Sequence, residues 1–309
     1  MSHNKQLISV IIATHNRPQL LTRTLDSVAR QTFRPLEVVI VDDGSGDATR
    51  QAVDDWRRQA RPDFRLSYHW QENQGPATAR NKGVEAGSGE RVLFLDDDDL
   101  LCPGAVEHLA AALAGERNAI AMASYQYWER GNPVGALIRP RCMEPEEVLC
   151  SMIQGTWFVP IHGYLFTRCA LEQIGPWNPV LTSQEDDEFL LRAALAGIAL
   201  RCAPEARVYY CQHDGARRAT PGKPGETVDQ GLEKRMFADL AIRESVFEAL
   251  GQQHDMEQYR IAFSLWQMRL RKRYSAALNK LNPQSELLEW LGAAPEETTS
   301  GSSPPLASV

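Results

Sequence analysis

The chain has 309 residues, 43% hydrophobic and 24% charged, which is enough apolar material for one large core or two smaller ones. Its formal charge of -7 argues against a nucleic-acid binder, and six scattered cysteines without a CxxC pair read as reduced, packed thiols rather than a disulfide framework. No apolar run approaches the ~18 residues of a membrane span, and the opening MSHNKQLISV lacks a signal-peptide layout. The expectation is a cytoplasmic protein, with contact at the inner face of the membrane left open.

The first half alternates strands and helices. Leu7–Thr14 is a continuous run rich in β-branched residues, as a strand buried on both faces requires. Asn16 is a candidate N-cap and Pro18 suits a first helical turn, so a helix is expected to about Gln31. Glu37–Val41 is a second strand, running into Asp42, Asp43, Gly44 and Ser45, and a helix follows over Asp47–Gln59. Arg65–Gln71 is a weaker strand, and NQGPATARNKGVEAGSG is a loop feeding a helix that stops at Gly87–Gly89. Arg91–Leu95 is a fourth strand ending in the carboxylates Asp96–Asp99, and a helix runs from Pro103 to Gly115. Strand and helix at this spacing imply an α/β domain with a mostly parallel sheet and helices on both faces. Ligands bind such sheets beyond the carboxyl ends of the strands, where Thr14–Asn16, Asp42–Ser45 and Asp96–Asp99 should converge.

The middle of the chain is less regular. Ile120–Trp128 is a strand, GYLFTRCALEQIGPWN a strand with a short helix and turn, and SQEDDEFLLRAALAG a helix capped by Ser183 and ended by Gly197. ALRCAPEARVYYCQH reads as two short strands. Residues 216–226 form a Gly- and Pro-rich linker, 227–292 a helical extension, and 293–309 a disordered tail. Within the extension, Leu232, Met236, Leu240, Phe247 and Leu250 make one apolar stripe. Tyr259, Phe263, Trp266, Leu270, Tyr274 and Leu281 make another, with Arg269, Arg271, Lys272, Arg273 and Lys280 off it. The basic residues suit a solvated face, a second subunit or an anionic lipid surface.

For Asp96–Asp99 a solvated loop and a cation site both stand open. Alternate residues at a strand end share a face, and hard carboxylate oxygens suit Mg²⁺ or Mn²⁺, which would relieve their mutual repulsion.

Four blocks, SVIIATHNRPQLLTRTLDSVARQTF, EVVIVDDGSGDAT, NQGPATARNKGVEAGSGERVLFLDDDDLLCPGAVEHL and SQEDDEFLLRAALAG, resemble in order the signature blocks of family 2 inverting glycosyltransferases, over roughly residues 7–213. The resemblance implies a GT-A fold with a Rossmann-like sheet, a catalytic domain over 1–215 (nucleotide-binding half 1–118, acceptor half 119–215), a nucleotide-sugar donor and Mn²⁺ or Mg²⁺. It implies that Ala13, Thr14, His15 and Asn16 line the base pocket, that Asp43 accepts from the base, and that Asp42 supports that turn. By the same resemblance Arg80 would lie near the nucleotide. Asp96 would sit by the ribose and the metal, with Asp97 in the cofactor site, Asp98 as the principal metal ligand and His213 as a further ligand closing over the pyrophosphate. Asp186 would be the catalytic base, followed by Phe189 and Arg192 at the family's spacing, with Glu185 orienting loops. Trp157, Trp177 and His162 fall where the family builds its acceptor site, with a core role open for both tryptophans.

A carboxylate that takes the acceptor's proton while a metal stabilises the leaving diphosphate requires two separate acidic clusters, and the chain has both. The implied acceptor is a glycan or a lipid-linked hydroxyl, with membrane contact or a homodimer through the C-terminal helices left open. Two alternatives remain at this level. A nucleotidyltransferase would want a Gly-rich basic loop after the first strand, which ATHNRPQ lacks. A non-catalytic nucleotide-sugar-binding module would have no use for Asp186.

Overall fold

The computed structural model describes residues 6–181, 183–212, 228–252, 256–281 and 285–292. The strands β1 (Ile8–Thr14), β2 (Leu36–Asp43), β3 (Arg65–Gln71) and β4 (Arg91–Phe94) are parallel, in the order β3-β2-β1-β4. They are joined by helices α1 (Pro18–Ala29), α2 (Asp47–Ala60) and α3 (Pro76–Ala86). After the acidic turn come β5 (Leu100–Leu101), α4 (Ala105–Ala112), β6 (Ala119–Glu129), β7 (Asn132–Ile138), α5 (Pro145–Gln154), β8 (Tyr164–Thr167), α6 (Arg168–Ile174), α7 (Glu185–Leu195) and β9 (Ala199–Gln212). Helices α8 (Val228–Gly251), α9 (Arg260–Leu281) and α10 (Glu286–Gly292) form the C-terminal extension.

One sheet runs through both halves of the chain in the order β3-β2-β1-β4-β8-β6-β9-β5, with β7 beside β6. Strand β8 pairs antiparallel with both β4 and β6 and so joins the halves, whereas β9 runs parallel to β6. The alternation of β1 divides two cores. Ile8, Val10 and Ile12 pack with Leu21, Leu25, Val53 and Leu109 from α1, α2 and α4. Ile11 faces the other layer, with Ala79, Val148, Phe189, Met236 and Phe263 from α3, α5, α7, α8 and α9. Each fully buried side chain of this kind contributes about 1.5–3 kcal/mol of transfer free energy. At Gly83 a Cβ would lie 2.2 Å from Ile11 Cγ2, so a residue without a side chain lets α3 lie directly on β1. Arg80, one turn earlier, is thereby brought over the carboxyl ends of the strands.

Several local expectations are corrected. The N-cap of α1 is Arg17 rather than Asn16. Asn16 instead adopts a positive φ of 55° and gives its backbone N–H to Ser45 Oγ at 2.7 Å, joining the first two strand ends. Gln184, not Ser183, occupies the N-cap of α7, in a left-handed conformation and without a side-chain cap. Ala199–Gln212 is a single strand of 14 residues. It stays paired with β6 on both sides of a register shift between Ala123 and Ser124, and the irregularity absorbs Pro204 instead of ending the strand. Neither β7 nor α5 is anticipated by the sequence. β7 is an edge strand carrying Pro133 and Gly135, and α5 begins at a reciprocal capping box between Glu144 and Glu147 with Pro145 in its first turn. In the extension both stripes are largely buried, but Leu232 is exposed and the Leu281 side chain lies outside the described residues. The expected linker and tail also lie outside them.

Candidate active site

The carboxyl ends of β1, β2 and β4 converge as the spacing predicts. At β2, Asp42 is wholly buried, takes the Ser45 N–H at 2.7 Å and pairs closely with the Tyr68 hydroxyl. It therefore supports the turn. Asp43 accepts from Gln71 Nε2 at 2.8 Å, Gln74 N–H at 2.9 Å and Gly75 N–H at 2.8 Å, which fixes the loop leading into α3. Gly44 allows this approach, because at φ +86° a Cβ would stand 2.8 Å from the Asn73 nitrogen. At β1, Ala13 is half-buried and Thr14 buried, while His15 and Asn16 are exposed at the mouth. His15 Nδ1 lies 2.7 Å from the Asp43 carbonyl oxygen, so the two strand ends form one rim.

The four aspartates alternate. Asp96 and Asp98 keep 33% and 21% of their side-chain surface open, whereas Asp97 and Asp99 keep 6% and 2%. Helix α1 pins this turn from beneath. Thr24 Oγ1 donates to the carbonyls of Asp97 and Asp99 at 3.0 and 2.9 Å. Asp97, expected in the cofactor site, turns under the strand end to accept from Thr14 Oγ1 at 2.7 Å and Arg17 Nη1 at 3.1 Å. Burial first, then Asp98 and Asp96, push its carboxyl up to about 6 against the pull of Arg17 and Thr14. Arg17 also bonds Asp98 at 3.1 Å.

Asp99 faces the fully buried His162, whose Nδ1 is 3.0 Å from its carboxylate, and it accepts the Cys211 N–H at 2.6 Å. Burial raises Asp99. Burial also opposes charge on His162, but Asp99 outweighs it and holds the imidazole above its ordinary value. Asp96, Asp99 and His162 each offer a ligand atom within 4.8 Å of the others. His162 Nε2 completes no hydrogen bond among the described residues. Two carboxylate oxygens and an imidazole make a donor set for a divalent cation. His213, expected as a further ligand, lies outside the described residues.

Arg80 joins the two acidic clusters. It is nearly buried and donates to Asp96 Oδ1 at 2.9 Å, and its other terminal nitrogen lies 3.2 Å from Asp186 and 3.7 Å from Glu185. Burial opposes its charge, but these three acids hold its pKa above the ordinary value. Trp177 fixes the guanidinium, which lies 4.5 Å from the ring centroid. That ring stacks on Phe189 of α7 at 4.1 Å. Trp177 is thus a core support for Arg80 rather than an acceptor contact, because 99% of its surface is covered. His162 is likewise interior. Trp157 is half-buried, with Nε1 donating to the Tyr164 hydroxyl at 2.8 Å.

Asp186 stands in the first turn of α7 with Glu185, Asp187 and Glu188. It keeps 39% of its side-chain surface, yet the protein around it raises its carboxyl to about 7. Burial leads, Arg80 opposes it, and Asp96, Glu185 and Asp187 add repulsion. Its Oδ1 completes no hydrogen bond among the described residues. Arg192 pairs with Glu188 within α7 at 2.7 Å and ties the helix to the preceding turn through the Pro176 carbonyl at 2.8 Å.

The sequence reading missed Arg17 and the Asp99–His162 pair. A histidine inside the apolar run FVPIHGYLF is the available signal, since a buried imidazole needs a polar partner.

A sequence profile described as Glycosyl transferase family 2 matches residues 9–172, which is more than half of the chain. The chain belongs to glycosyl transferase family 2. That assignment removes the nucleotidyltransferase alternative. A relative in Campylobacter jejuni, named GalNAc(5)-diNAcBac-PP-undecaprenol beta-1,3-glucosyltransferase, is 40% identical over 33% of this chain and 33% of its own length. Validoxylamine A glucosyltransferase of Streptomyces hygroscopicus subsp. limoneus is 38% identical over 49% of this chain and 34% of its own. The chain thus spans only about a third of the length of these two family 2 relatives. Among solved structures, S. aureus TarS 1-349 in complex with UDP has a TM-score of 0.62 at 22% identity, covering 92% of this chain and 77% of that one. The mannosyltransferase PcManGT from Pyrobaculum calidifontis in complex with GDP-Man and Mn2+ has a TM-score of 0.55 at 22% identity, covering 92% and 78%. These likenesses show that the fold is shared.

Proposed function

We propose that this glycosyltransferase moves a sugar from a nucleoside-diphosphate donor, a UDP-sugar, to a hydroxyl of a glycan or lipid-linked acceptor, with inversion at the anomeric carbon. One observation carries the reading. The buried Arg80 guanidinium touches Asp96 at one end and Asp186 at the other, so an acid suited to the donor and an acid suited to base catalysis flank one crevice. The complexes of TarS with UDP and of PcManGT with GDP-Man and Mn2+ support a nucleotide-sugar donor. The Campylobacter relative's name, with its PP-undecaprenol acceptor, supports a lipid-linked one.

Asp186 accepts the proton of the acceptor hydroxyl as that oxygen attacks the anomeric carbon. An Asp pushed up to about 7 is a stronger base than an ordinary carboxylate while remaining ionised in part near neutrality. Attack from the face opposite the diphosphate inverts the centre. The rim of Ala13, Thr14, His15, Asn16 and Asp43 holds the base and ribose, and Asp42 keeps that rim in shape. Arg80 orients Asp96 and Asp186 and limits their repulsion. Asp96, Asp98, Asp99 and His162 are the residues that would hold a divalent cation, with Asp97 fixing the turn through Thr14 and Arg17. Such a cation, when bound, stabilises the negative charge that develops on the leaving diphosphate.

The test is transfer or donor hydrolysis with a panel of nucleotide sugars, with and without Mn²⁺, followed by NMR assignment of the product anomer. Retention of configuration, or undiminished turnover by Asp186→Asn, would sink the proposal. Nucleotide binding without turnover in the wild-type chain would favour the non-catalytic module instead.

A further inference from the structure

We infer that α9 is a surface helix that docks on an anionic lipid membrane. Ile261, Leu265 and Met268 are exposed and stand at i, i+4 and i+7, so they share one stripe pointing away from the protein. They are three of the nine exposed large apolar side chains among the described residues; of the other six, Leu232 and Phe237 lie on α8 and the rest are spread over the remainder of the molecule. The buried face of the same helix, Phe263, Trp266, Leu270 and Tyr274, packs into the core. Lys272 continues the outward stripe, and Arg269 and Arg271 flank it; all three are exposed. From Arg260 to Leu281 the sequence has no Asp or Glu, in a chain whose net charge is -7.

An apolar stripe bordered by cations, on a helix of low overall hydropathy, is the pattern that lies in the lipid headgroup plane. No helix among the described residues is long and apolar enough to cross a membrane, so the contact is with the surface. A second copy of the chain is a poorer occupant. A two-fold interface sets the same patch against itself and would press one basic stripe onto another. The docking face stands on its own residues; only delivery of a lipid-linked acceptor to Asp186 rests on the proposed function.

The experiment is flotation of the full chain with vesicles of phosphatidylcholine, alone or mixed with phosphatidylglycerol, alongside sedimentation and donor hydrolysis on the same samples. The wild type should float with the anionic vesicles, less so as salt is raised, and stay down with the neutral ones. The pair Arg271→Glu and Lys272→Glu should cut the floated fraction on the order of tenfold, and so should the pair Ile261→Glu and Met268→Glu. Both pairs change exposed side chains, so thermal midpoint and donor hydrolysis should hold. Failure to float with anionic vesicles, equal flotation on neutral ones, or a dimer that dissociates in the Ile261→Glu and Met268→Glu pair overturns the inference. Flotation with no donor hydrolysis leaves it standing and removes the proposed function instead.

Discussion

At the amino-terminal rim of the sheet, Glu37 accepts from Ser9 Oγ at 2.7 Å and the Gly89 N–H at 3.1 Å. Arg91 donates to the Ala110 and Leu113 carbonyls at 2.8 Å each, where α4 ends, and Arg168 to Gly89 and Gly87 at 2.7 and 3.0 Å, beyond the end of α3. At the carboxyl-terminal rim the charged groups crowd together, with Asp97 pushed up to about 6 and Asp186 to about 7. Both rims are charged and both carry buried ionisable groups. At the first, neighbouring donors more than offset burial and hold Glu37 below the usual carboxylate range. At the second, burial and like charge prevail. Glu37 is thus satisfied at one end, while Asp97 and Asp186 are held against their preference at the other, and perturbed carboxyls of that kind mark a candidate functional site.

Asp186→Asn should separate the rims most sharply. Transfer should fall by about 10²- to 10⁴-fold, the range for a lost general base, while nucleotide binding and the thermal midpoint hold or rise. The rise would follow because a carboxylate with a raised folded pKa destabilises the fold as pH climbs from its unfolded value to about 7. An equal loss of nucleotide affinity would instead make Asp186 part of the donor pocket.

Arg80→Lys should have a smaller effect of a different kind. It keeps the charge but loses the fork that reaches both Asp96 and Asp186. In the wild type, turnover should rise with pH through about 7 as Asp186 loses its proton. With its strongest cationic partner displaced, that limb should move to higher pH, and turnover at neutrality should drop roughly tenfold. A lower rate with an unmoved pH profile would reduce Arg80 to a packing role.

Much of this contrast is written into the chain. Strands buried on both faces read as near-continuous apolar runs, so β1, β2 and β4 stand out, and their polar ends mark the crevice. The acids of α7 are visible as a second cluster. The phase of Asp96–Asp99 is not visible. Four identical residues give the alternation but not which pair turns inward, and that is decided by Thr24 and by His162, which is remote in sequence. β7 was hidden because an exposed edge strand with Pro133 and Gly135 has the composition of a loop. Ala199–Gln212 looked broken because Pro204 normally interrupts a ladder, whereas here a register shift accommodates it.

Glu37→Gln tests the satisfied rim and should have the smallest effect. Glutamine keeps the shape but brings an amide N–H₂ where the carboxylate accepts from Ser9, Ser88 and Gly89. The loss of charge-assisted bonds should cost about 1.5–3 kcal/mol of stability, with kcat unchanged because the site lies at the opposite rim. The sign with pH is fixed by the lowered folded pKa. Glu37 contributes fully above the unfolded carboxylate range, and its contribution is lost as pH falls through the folded value. Denaturation curves of the two proteins should therefore differ most at neutral pH and converge in acid. A gap that widens in acid would mean that Glu37, like Asp186, is held against its preference, and the distinction between the rims would collapse.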